Sequence, residues 1–162
     1  KKFEIKNVLD YGSGKGNWDT PLEDGESLKN YLHIEKVFQY EPSLNKHKKI
    51  IKDCVLCFDV LEHVFVSDIA FVLHDIFSYA TKLVVLNVAC YKAAALLPNG
   101  ENAHITVRHP LWWKGSIDTI ASNFPNVSYA LIASTSYSNA TIFPEISHLE
   151  QIKHQSFIAL EK

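Results

Sequence analysis

Methionine is missing from all 162 residues, and arginine occurs once, at position 108. The first absence is expected of a fragment or a mature form. The second leaves Arg108 as the only side chain able to grip a carboxylate or phosphate with a rigid planar fork. Cysteine is scarce: Cys54, Cys57 and Cys90 are an odd number, which suits reduced thiols better than a disulfide framework. Cys54 and Cys57 form a C-x-x-C, but inside an apolar strand-like run, where residues three apart point to opposite faces. No second cysteine pair completes a zinc set, so no metal site is expected. No apolar run approaches the roughly 18 residues of a membrane span, and the lysine-rich start lacks the apolar stretch of a signal peptide. A soluble, cytoplasmic protein without membrane partners is expected. A formal charge of -2 gives no broad hold on nucleic acid, which is not the expected partner. The basic run at 46–49 reads as a solvated face.

What is present fits one globular domain. Hydrophobic residues make up 47% and charged residues 21%, so a single core is expected rather than disorder. Glycine numbers only six, and three of them stand at alternate positions 12, 14 and 16, directly after the apolar Val8-Leu9 and the acid Asp10. A buried strand that must turn sharply beside a ligand needs such a sequence, because glycine reaches backbone angles closed to other residues and lets the chain approach a bound molecule.

Strands are expected at 7–10, 36–40, 54–58, 82–88, 127–133 and 155–160. Helices are expected at 26–32, 67–79 and 111–124, where apolar residues recur at helical spacing. Strand, glycine turn, helix and strand make the βαβ unit of a parallel sheet. Residues 134–154, with Pro144, read as loop with one short helix at 147–153. The long segment 90–110 reads as a functional or disordered loop. Glu41 closes the second strand 25 positions after Gly16, where an acid can take ribose hydroxyls; the plain alternative is a turn glutamate in Glu41-Pro42-Ser43.

Three stretches, taken in order, resemble the class I S-adenosylmethionine-dependent methyltransferases. They are residues 8–16, Tyr40-Glu41-Pro42-Ser43, and Asp59-Val60-Leu61-Glu62-His63-Val64. The likeness runs over residues 6–134, with a looser tail. Residues 97–104 and the Pro110-Leu111-Trp112-Trp113 that follows are similar to a subgroup of small bacterial and phage methyltransferases. The resemblance implies an α/β, Rossmann-like sandwich whose mostly parallel sheet ends with a strand inserted antiparallel. The chain departs from that pattern around the third strand, where the sheet is expected to be shortened: ten residues between Ser43 and Cys54 are too few for a helix, a strand and a return. With that strand goes the acid that contacts adenine in relatives; Asp53 is at best a substitute. A lid segment ahead of the first strand is likewise not expected.

The implied cofactor is S-adenosylmethionine. On the resemblance, the main chain of Tyr11, Gly12, Ser13 and Gly14 packs against its amino-acid and ribose part, and Asp10 orients the turn or the ammonium group. Glu41 accepts both ribose hydroxyls, while Asp59 and Val60 border the adenine and the sulfonium. A hydroxyl acceptor needs a base, and histidine is suited to that near neutral pH. His63 and His104 are the catalytic candidates, against the plainer readings of a helix cap and a loop tie. Asn102 is a candidate positioner of substrate, Arg108 an anchor for an acidic group, and Trp113 a wall of the pocket. Trp112 and Trp113 point about 100° apart on a helix, so one is core and the other free. The expected activity is methyl transfer to a small-molecule or glycan-like acceptor. A catalytically silent S-adenosylmethionine-binding module ranks second and an NAD-dependent oxidoreductase third, since no hydride-transfer set is recognisable.

Overall fold

The computed structural model describes residues 3–23, 25–46 and 48–146. The expected strand at 155–160 and helix at 147–153 lie outside the described residues, as does His47 of the basic run. Six strands form one sheet: β1 (Asn7–Tyr11), β2 (Lys36–Tyr40), β3 (Lys52–Phe58), β4 (Ala80–Ala89), β5 (Ser128–Ser134) and β6 (Ala140–Ile146). Their order is β2-β1-β3-β4-β5-β6, with all neighbours parallel except β5 and β6, which are antiparallel. The helices are α1 (Leu28–Tyr31), α2 (Ile69–Ser78) and α3 (Pro110–Ala121). The chain is thus an α/β fold on a mostly parallel sheet. Among the described residues no helix is long and apolar enough to cross a membrane.

Each long element follows from its sequence. In α2, Ile69, Leu73, Ile76 and Phe77 recur at helical spacing and all are buried. Asp68 stands at its N-cap without a capping side-chain bond, its carboxylate taking the Ser67 hydroxyl at 3.0 Å instead. α3 starts at Pro110, whose missing N–H is no loss at a first helical position, after His109 has accepted the Leu111 N–H on its ring. Its buried face is Trp113, Ile117 and Ala121. Both helices pack against the same face of the sheet, on Leu9, Val55, Cys57, Val84, Leu86 and Leu131. Each large side chain fully buried there contributes about 1.5–3 kcal/mol relative to exposure.

The opposite face is covered thinly, by Val8, Ile34, Cys54 and Leu56 with Trp18 and Val37 packed beside them. The helix expected at 26–32 is reduced to the four residues of α1, and Leu28, Tyr31 and Leu32 are exposed. A full sandwich, with helices on both faces, is therefore not what the described residues form. Cys54 and Cys57 do fall on opposite faces, both as free, buried thiols.

The last described strand is antiparallel, as expected of the sheet; β5 pairs directly with β4 and β6 lies outside it, while the final strand expected at 155–160 lies outside the described residues. One expectation is corrected: β6 comes from a segment read as loop on account of Pro144. Proline removes a ladder donor and is tolerated at an edge or a bulge; β6 borders the described sheet, and its pairing slips between Tyr129 and Leu131, opposite that proline. The short link after β2 is as expected. Among the described residues, the link 41–51 crosses over β1 to β3 with one 3-10 turn, Pro42–Leu44, and no α-helix.

Candidate functional site at the carboxyl ends of the strands

Because β1 leads on to β2 on one side and β3 leads on to β4 on the other, the sheet changes direction between β1 and β3. In open parallel sheets ligands collect outside the carboxyl ends of the strands at such a point. The glycine turn leaves β1 there. The Gly12 and Ser13 N–H groups both donate to the Tyr40 carbonyl, at 2.8 and 3.2 Å. Gly14 N–H donates to Glu41 Oε2 at 2.9 Å, and Gln39 Nε2 donates to the Gly16 carbonyl at 2.7 Å. The end of β2 therefore holds the turn at successive points.

Gly12 has φ +76, and a Cβ there would penetrate the Val60 side chain. Glycine is required twice over, by conformation and by contact. Val60 follows Asp59, which is itself left-handed at φ +55. Asp59 is tied to β4: its N–H donates to the Asn87 carbonyl at 3.1 Å, and its Oδ1 accepts from Asn87 Nδ2 at 2.8 Å. Ser134, at the end of β5, donates to Asn87 Oδ1 at 3.0 Å. Asp10, Tyr11, Gly12, Ser13, Gly14, Glu41, Asp59 and Val60 thus gather around one end of β1 and β3.

Their individual surroundings differ. Ser13 Oγ is buried without a hydrogen-bond partner among the described residues. Asp10 accepts from Trp18 Nε1 at 2.8 Å, and burial raises its carboxyl above the ordinary range although that bond opposes the rise. The Tyr11 side chain turns away toward α2 and donates to Asp75 at 2.7 Å, which leaves only its main chain at the turn. Asp75 is also paired with Lys49, at 2.7 Å. Glu41 is held below the ordinary carboxylate range, chiefly by the Ser43 hydroxyl and further by the Gly14 and Ser43 N–H groups, against some desolvation. Its Oε1 accepts from both Ser43 Oγ, at 2.6 Å, and Ser43 N–H, at 3.1 Å. With Gly14 on Oε2, three of about four acceptor positions are taken.

Asp53 is not available as an adenine acid. It lies at the amino-terminal end of β3, where it accepts from the Lys6 and Asn7 N–H groups at 2.9 and 3.2 Å and pairs with Lys82. In a parallel sheet that is the far end from the glycine turn.

The acceptor-side candidates do not form one cluster. His63 and His104 meet, with ring centroids 5.0 Å apart and edge-on. Each donates from Nδ1 to a backbone carbonyl, His63 to Ala103 at 2.7 Å and His104 to Tyr91 at 2.6 Å. A carbonyl can only accept, so Nδ1 carries a proton, and in the neutral ring the lone pair is on Nε2. Asn102 is a tie within its own loop, bonded both ways to Ala93 and accepting the His104 N–H at 3.1 Å. Trp113 is fully buried in the core, which corrects its reading as a pocket wall; Trp112 is the half-buried member of the pair. Arg108 is exposed and lines a separate cavity of about 550 Å³ with Cys90, His109, Thr135 and Phe143.

Glu62 is the residue the sequence reading passed over. It is fully buried, its Oε1 accepts the Ala89 N–H at 3.1 Å, and its Oε2 has no partner among the described residues. Burial pushes its carboxyl above the ordinary range, with the backbone N–H bonds opposing. An acid inside the apolar Val60-Leu61 and Val64 surround was the available signal.

No protein-family model, curated protein or solved structure matches the chain.

Proposed function

We propose that the protein is a class I S-adenosylmethionine-dependent methyltransferase acting on a small-molecule or glycan-like acceptor. The observation that carries this reading is the contact of Gly12 with Val60, which joins the glycine turn, Glu41 and Asp59 at the change of direction in the sheet. The residues fit the cofactor in one testable respect. Ser13 Oγ is a buried hydroxyl without a partner, in a turn whose Gly14 has open space over it; such a group calls for a polar ligand atom. When bound, S-adenosylmethionine supplies a methyl group on a sulfonium, open to in-line displacement.

The chain's part is to hold, align and dry the site. Main-chain groups of residues 11–14 and the remaining acceptor position of Glu41 hold the nucleotide. Asp59 and Val60 border it. His63 or His104 takes the proton of a hydroxyl acceptor at Nε2; Arg108, which lines a separate cavity, has no part in that step. The occupancy of Glu41 by Gly14 and Ser43 favours one second reading, a binding module without turnover. Calorimetric titration with S-adenosylmethionine, S-adenosylhomocysteine and NAD separates the cases. Binding of both sulfur nucleotides is expected, and failure of both to bind would remove the reading. Binding without transfer of a labelled methyl group to any acceptor in a broad panel would favour the module.

A further inference from the structure

We propose that Glu62, His63 and His104 bind a divalent transition-metal cation, with Zn²⁺ the ion the donor set suits best. A carboxylate oxygen of Glu62 and one ring nitrogen from each histidine lie within 4.8 Å of one another. Proximity alone would be weak, but three features prepare these side chains for ligation.

The imidazoles are already oriented. Each Nδ1–H is committed to a backbone carbonyl, at 2.7 Å for His63 and 2.6 Å for His104, so Nε2 is left as the donor atom. Metal-bound histidines characteristically carry that outer hydrogen bond, because it fixes the tautomer and the ring. Glu62 is fully buried with Oε2 unpartnered. A buried carboxylate oxygen without a partner is costly, and a cation would remove the cost. The scaffold is locked as well: Thr106 N–H donates to the Glu62 carbonyl at 2.9 Å and Thr106 Oγ1 to the Val64 carbonyl at 2.6 Å. Those bonds hold the turn after β3 against the loop that carries His104.

Two imidazoles and one carboxylate form the ligand set of catalytic zinc centres and related iron sites, which keep a position open. Magnesium and calcium favour oxygen ligands throughout and suit it poorly. Ligands on a tetrahedral zinc stand about 3.3 Å apart, given its bond lengths, so the three donor atoms must draw together on binding, with His63 the exposed member of the set. A cavity of about 320 Å³ adjoins His104, bordered by Phe65, Asn102 and Ile105, and gives a small oxygen ligand access. Binding of the cation does not depend on the methyl-transfer reading. If both readings hold, the cation would take over from the imidazole the activation of the acceptor hydroxyl, lowering its pKa so that its proton is released to water, and the two histidines would serve as ligands.

The test is calorimetric titration of the chelator-stripped full chain with Zn²⁺, beside a titration with S-adenosylhomocysteine. One Zn²⁺ per chain is expected at micromolar affinity or tighter, with His63→Ala and His104→Ala each weakening it at least tenfold. His33→Ala, at an exposed turn, should bind as the wild type does. The exposed position of His63 makes its variant the decisive one if His104→Ala misfolds. No stoichiometric Zn²⁺ binding, or wild-type affinity in His63→Ala, overturns the proposal. In that event, nucleotide binding in the parallel titration leaves the methyltransferase reading standing.

Discussion

Gly12 and Val60 are in van der Waals contact with no room for a methyl group between them, although 47 positions separate them in the chain. This contact joins the turn after β1 to the turn after β3. Gly12→Ala should cost about 2–4 kcal/mol, from left-handed strain and overpacking together. Adding Val60→Ala should recover the overpacking part only. Urea unfolding of the two single variants and the double variant checks this; simple additivity of the costs would mean that the contact carries no strain.

Glu41 serves the turn before it serves any ligand. Loss of its carboxylate in Glu41→Ala unpairs Gly14 N–H and the Ser43 hydroxyl, which should destabilise the fold by about 1–3 kcal/mol. The same variant should bind S-adenosylhomocysteine at least tenfold more weakly. Unchanged affinity in a folded Glu41→Ala would remove it from the nucleotide site.

Acid should weaken the base of the sheet through Asp53. Its carboxyl is desolvated, which raises its pKa, but the Lys6 and Asn7 N–H groups and Lys82 outweigh that and hold it below the ordinary range. A carboxyl lowered in the folded state adds stability above its unfolded pKa and loses it as pH falls through the folded one. The stability gap between wild type and Asp53→Asn should therefore be widest at neutral pH and close in acid. Urea unfolding over a pH series checks the sign, and a gap that widens in acid would contradict it.

Trp113 should behave as core and not as a substrate contact. Trp113→Ala should cost about 3–5 kcal/mol by the usual cavity penalty. Trp113→Phe should cost far less than its volume suggests, because the buried indole N–H has no partner to lose. Thermal unfolding of both variants, with methyl transfer followed in Trp113→Phe, checks the assignment.

The sequence made legible what local chemistry dictates. Three alternating glycines after an apolar run marked the turn, and continuous apolar runs marked β3 and β4. Helical periodicity located α2 and α3, since their apolar stripes face one core. The failures have equally physical causes. Pro144 hid β6, because proline argues against a central strand while an edge tolerates it. Leu28, Tyr31 and Leu32 recur at helical spacing, yet spacing cannot reveal that among the described residues they stay exposed. Which tryptophan of an adjacent pair is buried depends on helix rotation, which the sequence leaves open. Glu62, His63 and His104 come together through Thr106 and the Ala103 carbonyl, long-range bonds that carry no sequence signature.

The most direct measurement of the central claim is a set of amide NMR spectra of the full chain recorded as S-adenosylhomocysteine is added. The account predicts that the largest shifts fall on Gly12, Ser13, Gly14, Asp59 and Val60. An unchanged spectrum, or shifts confined to the cavity lined by Arg108 and His109, would contradict it.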